Sequence, residues 1–298
     1  MAPIVDVRDL SRRFGAKQAL RGVDYAAHEG LVYGLVGING AGKTTLIKHI
    51  LGLLRAKTGT VRVFDKDPAR HPVEVLQHVG YLSEDRDLPE WMTITQLLSF
   101  TQAHYPTWDE AYARELLDTF GLDPTAQIAN LSKGMRAQAG LIAAAAHRPR
   151  LLVLDEPSSG LDAVVREDIL NAVLRAVTED GRTVIFSSHL LDEVERMSDH
   201  VTMIDEGEVR LDGPLEELRT RHHKTTVTFD VKPRQLPDLP DVLGATEAED
   251  HWDVVHESAP ETLRAVLAAA GGKVVSTTTA TLMDVFLARA GRDAVESR

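Results

Sequence analysis

Short apolar runs, held apart by glycine and proline, alternate along most of the chain between two spacings. Residues 4–10 set Ile4, Asp6 and Arg8 against Val5, Val7 and Asp9, the period of two that predicts an edge strand. A second strand begins at Val23, and residues 31–36, 61–64 and 79–82 read as further strands. Residues 151–154 and 183–186 are almost wholly apolar, the pattern of strands buried on both faces. Between these runs the apolar positions recur at helical spacing over 45–54, 73–78, 94–105, 108–120 and 164–177. An alanine-rich helix begins behind Asn130 or Ser132 as cap and ends at Pro149. Residues 200–205 and 208–211, joined at Glu206-Gly207, form a predicted hairpin, and a short helix over 214–219 closes a first domain. Strands alternating with helices in this way predict an α/β fold with a β-rich start and a helical insertion. Trp91, Phe100, Tyr105 and Trp108 are expected to form the core of that insertion, with contact to a partner as the other reading.

The tail has its own pattern. A strand over 227–231 and a proline-rich link, PRQLPDLPD, precede extended stretches at 242–245, 252–255 and 273–277 and helices at 261–270 and 281–291. This predicts a small α+β accessory domain over 221–298, after a first domain over 1–220. His222-His223 reads as an exposed linker rather than a metal site, because adjacent side chains face different ways.

Composition narrows the function classes. A 298-residue chain with 43% hydrophobic and 5% aromatic residues is an ordinary soluble globular protein. No apolar run approaches the roughly 18 residues that span a bilayer, and the N-terminus carries no secretion signal. Absence of cysteine removes disulfides, thiol nucleophiles and thiolate metal sites, and fits a cytosolic setting. The net charge of −12 argues against broad nucleic-acid binding, which needs a basic footprint.

Candidate chemistry begins at GINGAGKTT, between the strand 31–36 and the helix 45–54. Gly37, Gly42, Lys43 and Thr44 fill the fixed positions of a phosphate-binding loop. Gly37, Gly40 and Gly42 let the backbone turn and aim successive amides at one concavity, to which the new helix adds its positive end. Lys43 supplies a point charge for the β- and γ-phosphates, and the Thr44 hydroxyl is placed to ligate magnesium. LLVLDEP puts Asp155 and Glu156 at the carboxyl end of a buried strand, where ligands of open parallel sheets bind. Two acids there are costly unless a cation neutralises them. Asp155 is expected on the metal side, and Glu156 to orient or deprotonate an attacking water. His189 lies just beyond the strand 183–186, at the same edge, where a γ-phosphate contact is the expectation. Asp162 is expected to cap the helix 164–177.

With these pieces in this order, residues 4–220 resemble the nucleotide-binding domain of ATP-binding-cassette (ABC) proteins, a P-loop NTPase fold with an N-terminal β-subdomain and a helical subdomain at about 86–148. GINGAGKTT is its phosphate loop, LSKGM its signature, LLVLDEP its second acidic motif, SGLD its D-loop and SSH its switch histidine. The resemblance implies an ATPase using ATP and Mg2+, in which two domains pair head to tail around two nucleotides. Nucleotide would be bound by Phe14 on the adenine, by Gly37, Asn39, Gly40, Ala41, Gly42, Lys43, Thr44 and Thr45, by Ser132 and Gly134 from across the dimer, and by Asp162. Thr44, Asp155 and Glu84 would serve the metal, with Glu156, His189 and Lys43 catalytic. Three departures stand out: Glu84 where the family usually has glutamine, and Lys133 and Met135 in the signature. LSKGM and YLSED resemble the branch with separate transmembrane permease subunits that mostly exports drugs, antibiotics, lipids or polysaccharides. The implied setting is a homodimer on the inner face of the cell membrane. The alternative is a soluble ABC ATPase acting on ribosomes or nucleic acid; such proteins usually carry two cassettes or a long coiled coil, and the acidic balance also disfavours it. The closing TLMDVFLARAG resembles the last helix of the extension on drug-exporter-type subunits. A GTPase would need NKxD, and none of Asn39, Asn130 or Asn171 is followed by lysine.

Overall fold

Val5, Val7 and Leu10 are buried while Arg8 and Asp9 are exposed, the signature of a strand covered on one face. In the computed structural model, which describes residues 2–178, 181–230 and 236–290, that strand is β1 (Val5–Phe14). It is flanked on both sides, by β2 (Lys17–Ala27) and β4 (Thr58–Val63), in a three-stranded antiparallel sheet. The expectation of an edge strand is therefore corrected: alternation reports one buried face, and that holds for a central antiparallel strand as well as for an edge.

The chain divides into two compact units, Met1–Asp212 and Gly213–Arg298. In the first, β3 (Val32–Val36) leads through the glycine loop into α1 (Lys43–Ile50). After β4 come α2 (Pro72–Leu76), β5 (Val79–Leu82), α3 (Ile94–Gln102), α4 (Glu110–Phe120) and α5 (Lys133–Ala145). Then β6 (Leu151–Asp155), α6 (Ala163–Thr178), β7 (Thr183–Ser188), α7 (Leu191–Met197) and the pair β8 (His200–Asp205) and β9 (Glu208–Pro214) complete it. The main sheet runs β5-β6-β7-β3-β8-β9, parallel from β5 through β8. Register aligns Asp155 with Ser187 and Val36 with Ser188, so the carboxyl ends of β6, β7 and β3 finish level. One apolar cluster, including Leu10, Leu20, Leu35, Leu46, Ile47 and Val153, joins the two sheets around α1. Each of these side chains contributes on the order of 1.5–3 kcal/mol on burial.

The helical insertion is packed by Ile94, Leu97, Leu98, Tyr112, Leu116 and Phe120. Trp91 and Phe100 are 74% and 55% exposed, and Trp108 and Tyr105 only half-buried, which corrects their expected place in its core. Thr93 starts α3 with a full capping box to Gln96, leaving Trp91 ahead of the helix, while Phe100 falls off its apolar stripe.

In the second unit α8 (Leu215–Arg221), β10 (His223–Phe229), β11 (Val242–Glu247), β12 (Trp252–His256), α9 (Pro260–Ala269), β13 (Gly272–Thr279) and α10 (Leu282–Ala290) follow in order. The sheet order is β11-β12-β10-β13, with Val227, Trp252, Val254, Leu263 and Leu267 beneath it. The helix α8 lies within Gly213–Arg298. Val231, the residues 233–235 that begin the proline-rich link, and Gly291 lie outside the described residues. The His222-His223 pair is not an exposed linker: His222 is 1% exposed, its Nδ1 2.7 Å from the Leu218 carbonyl and its Nε2 3.1 Å from Glu257. A charged partner and the helix end make burial of this ring affordable. No group of three potential metal ligands occurs among the described residues.

Candidate nucleotide site

The glycine loop owes its path to close backbone approaches. A Cβ on Gly37 would lie 2.3 Å from the Ile204 carbonyl, and one on Gly42, where φ is 121°, would lie 2.7 Å from the Ala19 carbonyl. The loop wraps a cavity of 370 Å³ lined by Phe14, Lys17, Ala19 and Ile38, by the loop itself from Asn39 to Thr45, and by Glu84 and Glu156. Phe14 stands 45% exposed at the rim, with the Arg12 guanidinium 4.7 Å from its ring centroid.

The floor of the cavity is a chain of polar contacts. Lys43, 5% exposed, donates to the Gly37 carbonyl at 2.5 Å and lies 3.0 Å from Glu156 Oε1. The second Glu156 oxygen, Oε2, is 2.7 Å from His189 Nδ1. Glu156 has φ 49°, a left-handed conformation that turns the chain sharply away from β6. The neighbouring Asp155 accepts from the Ser187 hydroxyl at 2.6 Å and the Thr44 hydroxyl at 3.3 Å, both through Oδ1. Ser187 Oγ in turn accepts from the Glu156 amide at 2.9 Å. Burial pushes the Asp155 carboxyl above its ordinary range, partly offset by the bonds from Ser187 and Thr44.

Asp155 Oδ2 is fully buried and has no hydrogen-bond partner. An orphaned carboxylate oxygen on an acid that also accepts from a threonine hydroxyl is the donor chemistry of a hard divalent cation. The residues present therefore fit magnesium held by Thr44 and Asp155, with the exposed Glu84 on the same cavity wall.

The signature and D-loop residues lie away from this cavity. Ser132 caps α5 by accepting from the Met135 amide at 3.1 Å and is exposed. Gly134 is buried; a Cβ there would meet Val165 at 3.0 Å. Asp162 is exposed and caps α6, accepting from the amides of Val164 and Val165 at 3.1 and 3.0 Å. Three parts of the site escape sequence reasoning. Lys17 lines the cavity, with Nζ 3.3 Å from where a Gly40 Cβ would stand. Ser187 bridges the two acids, a role the apolar run 183–186 conceals. Arg86 sits buried behind them, donating to the Pro157 and Ser159 carbonyls at 3.0 Å.

Known proteins are similar to this chain. The family model described as "ABC transporter" matches residues 20–159. The chain is 32% identical to the Nod factor export ATP-binding protein I of Burkholderia lata, over 98% of each chain. It is 28% identical to the ABC transporter ATP-binding protein YtrB of Bacillus subtilis, over 97% of this chain and 98% of that protein. A solved structure titled "Structure of ATP binding subunit of ABC transporter" superposes with a TM-score of 0.67 at 29% identity, covering 73% of this chain and 92% of the other.

Proposed function

This chain belongs to the ABC transporter family as an ATP-binding, ATP-hydrolysing subunit, and from that premise we propose how its residues work and on what. Phe14 receives the adenine, and the backbone amides of residues 37–45 with Lys43 receive the triphosphate. Thr44 and Asp155, with Glu84 nearby, would hold magnesium, which would supply charge neutralisation for the phosphates. Glu156 aligns and deprotonates the attacking water, and His189 holds the carboxylate through its second oxygen and contacts the γ-phosphate. The observation that carries this reading is buried Lys43 paired with buried Glu156 at 3.0 Å beside half-buried Thr44 bonded to buried Asp155 at 3.3 Å, next to the glycine loop.

Both Glu156 oxygens are engaged, by Lys43 and by His189. A γ-phosphate that takes Lys43 frees Oε1 to accept a proton from water. Ser132, Gly134 and Asp162, outside the cavity, act on the nucleotide of a second copy, so two chains pair head to tail and each site is completed by the partner.

The transport reading extends this to separate transmembrane subunits, an outward direction and a place on the inner face of the cell membrane. Among the described residues no helix is long and apolar enough to cross a membrane; this reading assigns the spanning segments to other chains. The name of the Burkholderia relative supports export. The test is recovery of the tagged Glu156→Gln chain with Mg-ATP from gently solubilised membranes of its host. A stoichiometric multi-span partner is expected; recovery only with ribosomes or nucleic acid would overturn the transport reading.

A further inference from the structure

The four residues after β6, 156–159, carry the chain from the hydrolytic carboxylate toward Asp162 at the cap of α6. Their polar groups are taken up by two buried charged side chains that the reaction as described does not use. Arg86, 4% exposed, donates from one nitrogen, Nη2, to the carbonyls of Pro157 and Ser159 at 3.0 Å and of Glu156 at 3.4 Å. It follows Glu84 by two residues and has φ 52°, so the backbone is strained to send this side chain inward. Among the described residues no carboxylate pairs with Arg86, and its Nε and Nη1 are buried without partners.

Glu193, 3% exposed on α7, engages the same turn through its hydroxyl. Its Oε2 accepts from Ser158 at 2.7 Å and from Ser188 at 3.1 Å, while Oε1 lies 3.4 Å from Arg166 Nε. Ser188 Oγ also accepts from the Leu190 amide at 3.0 Å, which pins both neighbours of His189. One carboxylate thus ties the turn behind Glu156 to the segment that carries His189.

Burying a lone guanidinium and a carboxylate is costly, and apolar side chains of similar size would fill the space more cheaply. What apolar residues could not do is fix carbonyls and a hydroxyl in place. We propose that Arg86 and Glu193 are positioning residues for hydrolysis: Arg86 holds the 156–159 turn by its carbonyls, Glu193 holds it by Ser158, and together they set Glu156 against His189. The inference rests on the reading that Glu156 acts on the water. Because Arg86 leaves the segment of Glu84, it also ties that segment to the hydrolytic turn.

The test uses the full chain in excess over radiolabelled ATP, so that a slow single turnover remains measurable, beside titration with a fluorescent ATP analogue and thermal melting. Ser158→Ala and Glu193→Ala should each slow turnover about tenfold, the loss of one charge-assisted hydrogen bond, with nucleotide affinity unchanged within about threefold. The double variant should be no slower than Glu193→Ala, which already removes the Ser158 contact along with that to Ser188. Arg86→Gln should slow turnover similarly, and Arg86→Lys should recover part of it. Turnover within about twofold of the parent in Ser158→Ala, or losses that track melting temperature and affinity, would overturn the proposal. Should Glu193→Ala not fold, Ser158→Ala, which removes a single hydroxyl, decides alone. Glu156→Gln run in parallel separates the two claims: turnover retained there would sink the assignment of Glu156 itself.

Discussion

Lys43 and Glu156 form a buried ion pair, with Nζ 3.0 Å from Oε1 and both residues at most 5% exposed. On the proposed roles, the cation for phosphate and the carboxylate for water compensate each other's charge in this pair. On those roles, ATP competes with Glu156 for Lys43. Glu156→Gln is expected to tighten ATP binding severalfold, because Lys43 loses its competitor, and to slow hydrolysis by on the order of 10²–10⁴. Fluorescent-nucleotide titration and phosphate release measure the two effects; weaker binding in the variant would contradict the competition.

Removing the cation alone should cost stability as well as affinity. Lys43→Met leaves Glu156 buried with only His189 beside it, a loss of about 3 kcal/mol. Lys43→Met/Glu156→Gln removes both charges and should regain most of that stability without regaining ATP binding. Chemical denaturation of the three variants reads the coupling, and additive losses would contradict it.

Gly37→Ala places a methyl group 2.3 Å from the Ile204 carbonyl, against backbone that cannot turn aside. The loop and β8 must separate, so both the melting temperature and ATP affinity should fall, the former by several degrees. An unchanged melting temperature would show that the loop is not held against β8.

His147 is 1% exposed and stacks on Tyr105 with ring centroids 3.8 Å apart. Burial pushes its pKa down to about 4 from the ordinary 6.5. Between those values the unfolded chain takes up a proton that the folded chain refuses. Stability from this group is full above pH 6.5 and is lost as pH falls toward 4, by about 3 kcal/mol. His147→Phe should flatten that part of the stability profile, measured by denaturation at a series of pH values.

The elements around the site were legible because their signals are local: a strand, three glycines, a lysine and a helix lie within about twenty residues, and two acids end an apolar run. Where neighbours decide, the sequence misled. Alternation at residues 4–10 could not tell a central antiparallel strand from an edge, since both show one face to water. Trp91 and Phe100 are large and apolar yet exposed, and nothing in their flanks says on which side of α3 the core lies. His222 looked solvated because its partner, Glu257, is 35 residues away in the chain. Arg86 and Glu193 are single charged residues in charged stretches; only the fold brings them to the turn behind Glu156.

Head-to-tail closure on ATP is the claim from which the roles of Ser132, Gly134 and Asp162 follow. Light scattering on the purified Glu156→Gln chain, with and without Mg-ATP, tests it most directly. A 32.7 kDa monomer is expected without nucleotide and twice that mass with it, reverting to monomer when Ser132 is replaced by arginine. A chain that binds ATP at saturation and keeps the mass of a monomer would contradict it.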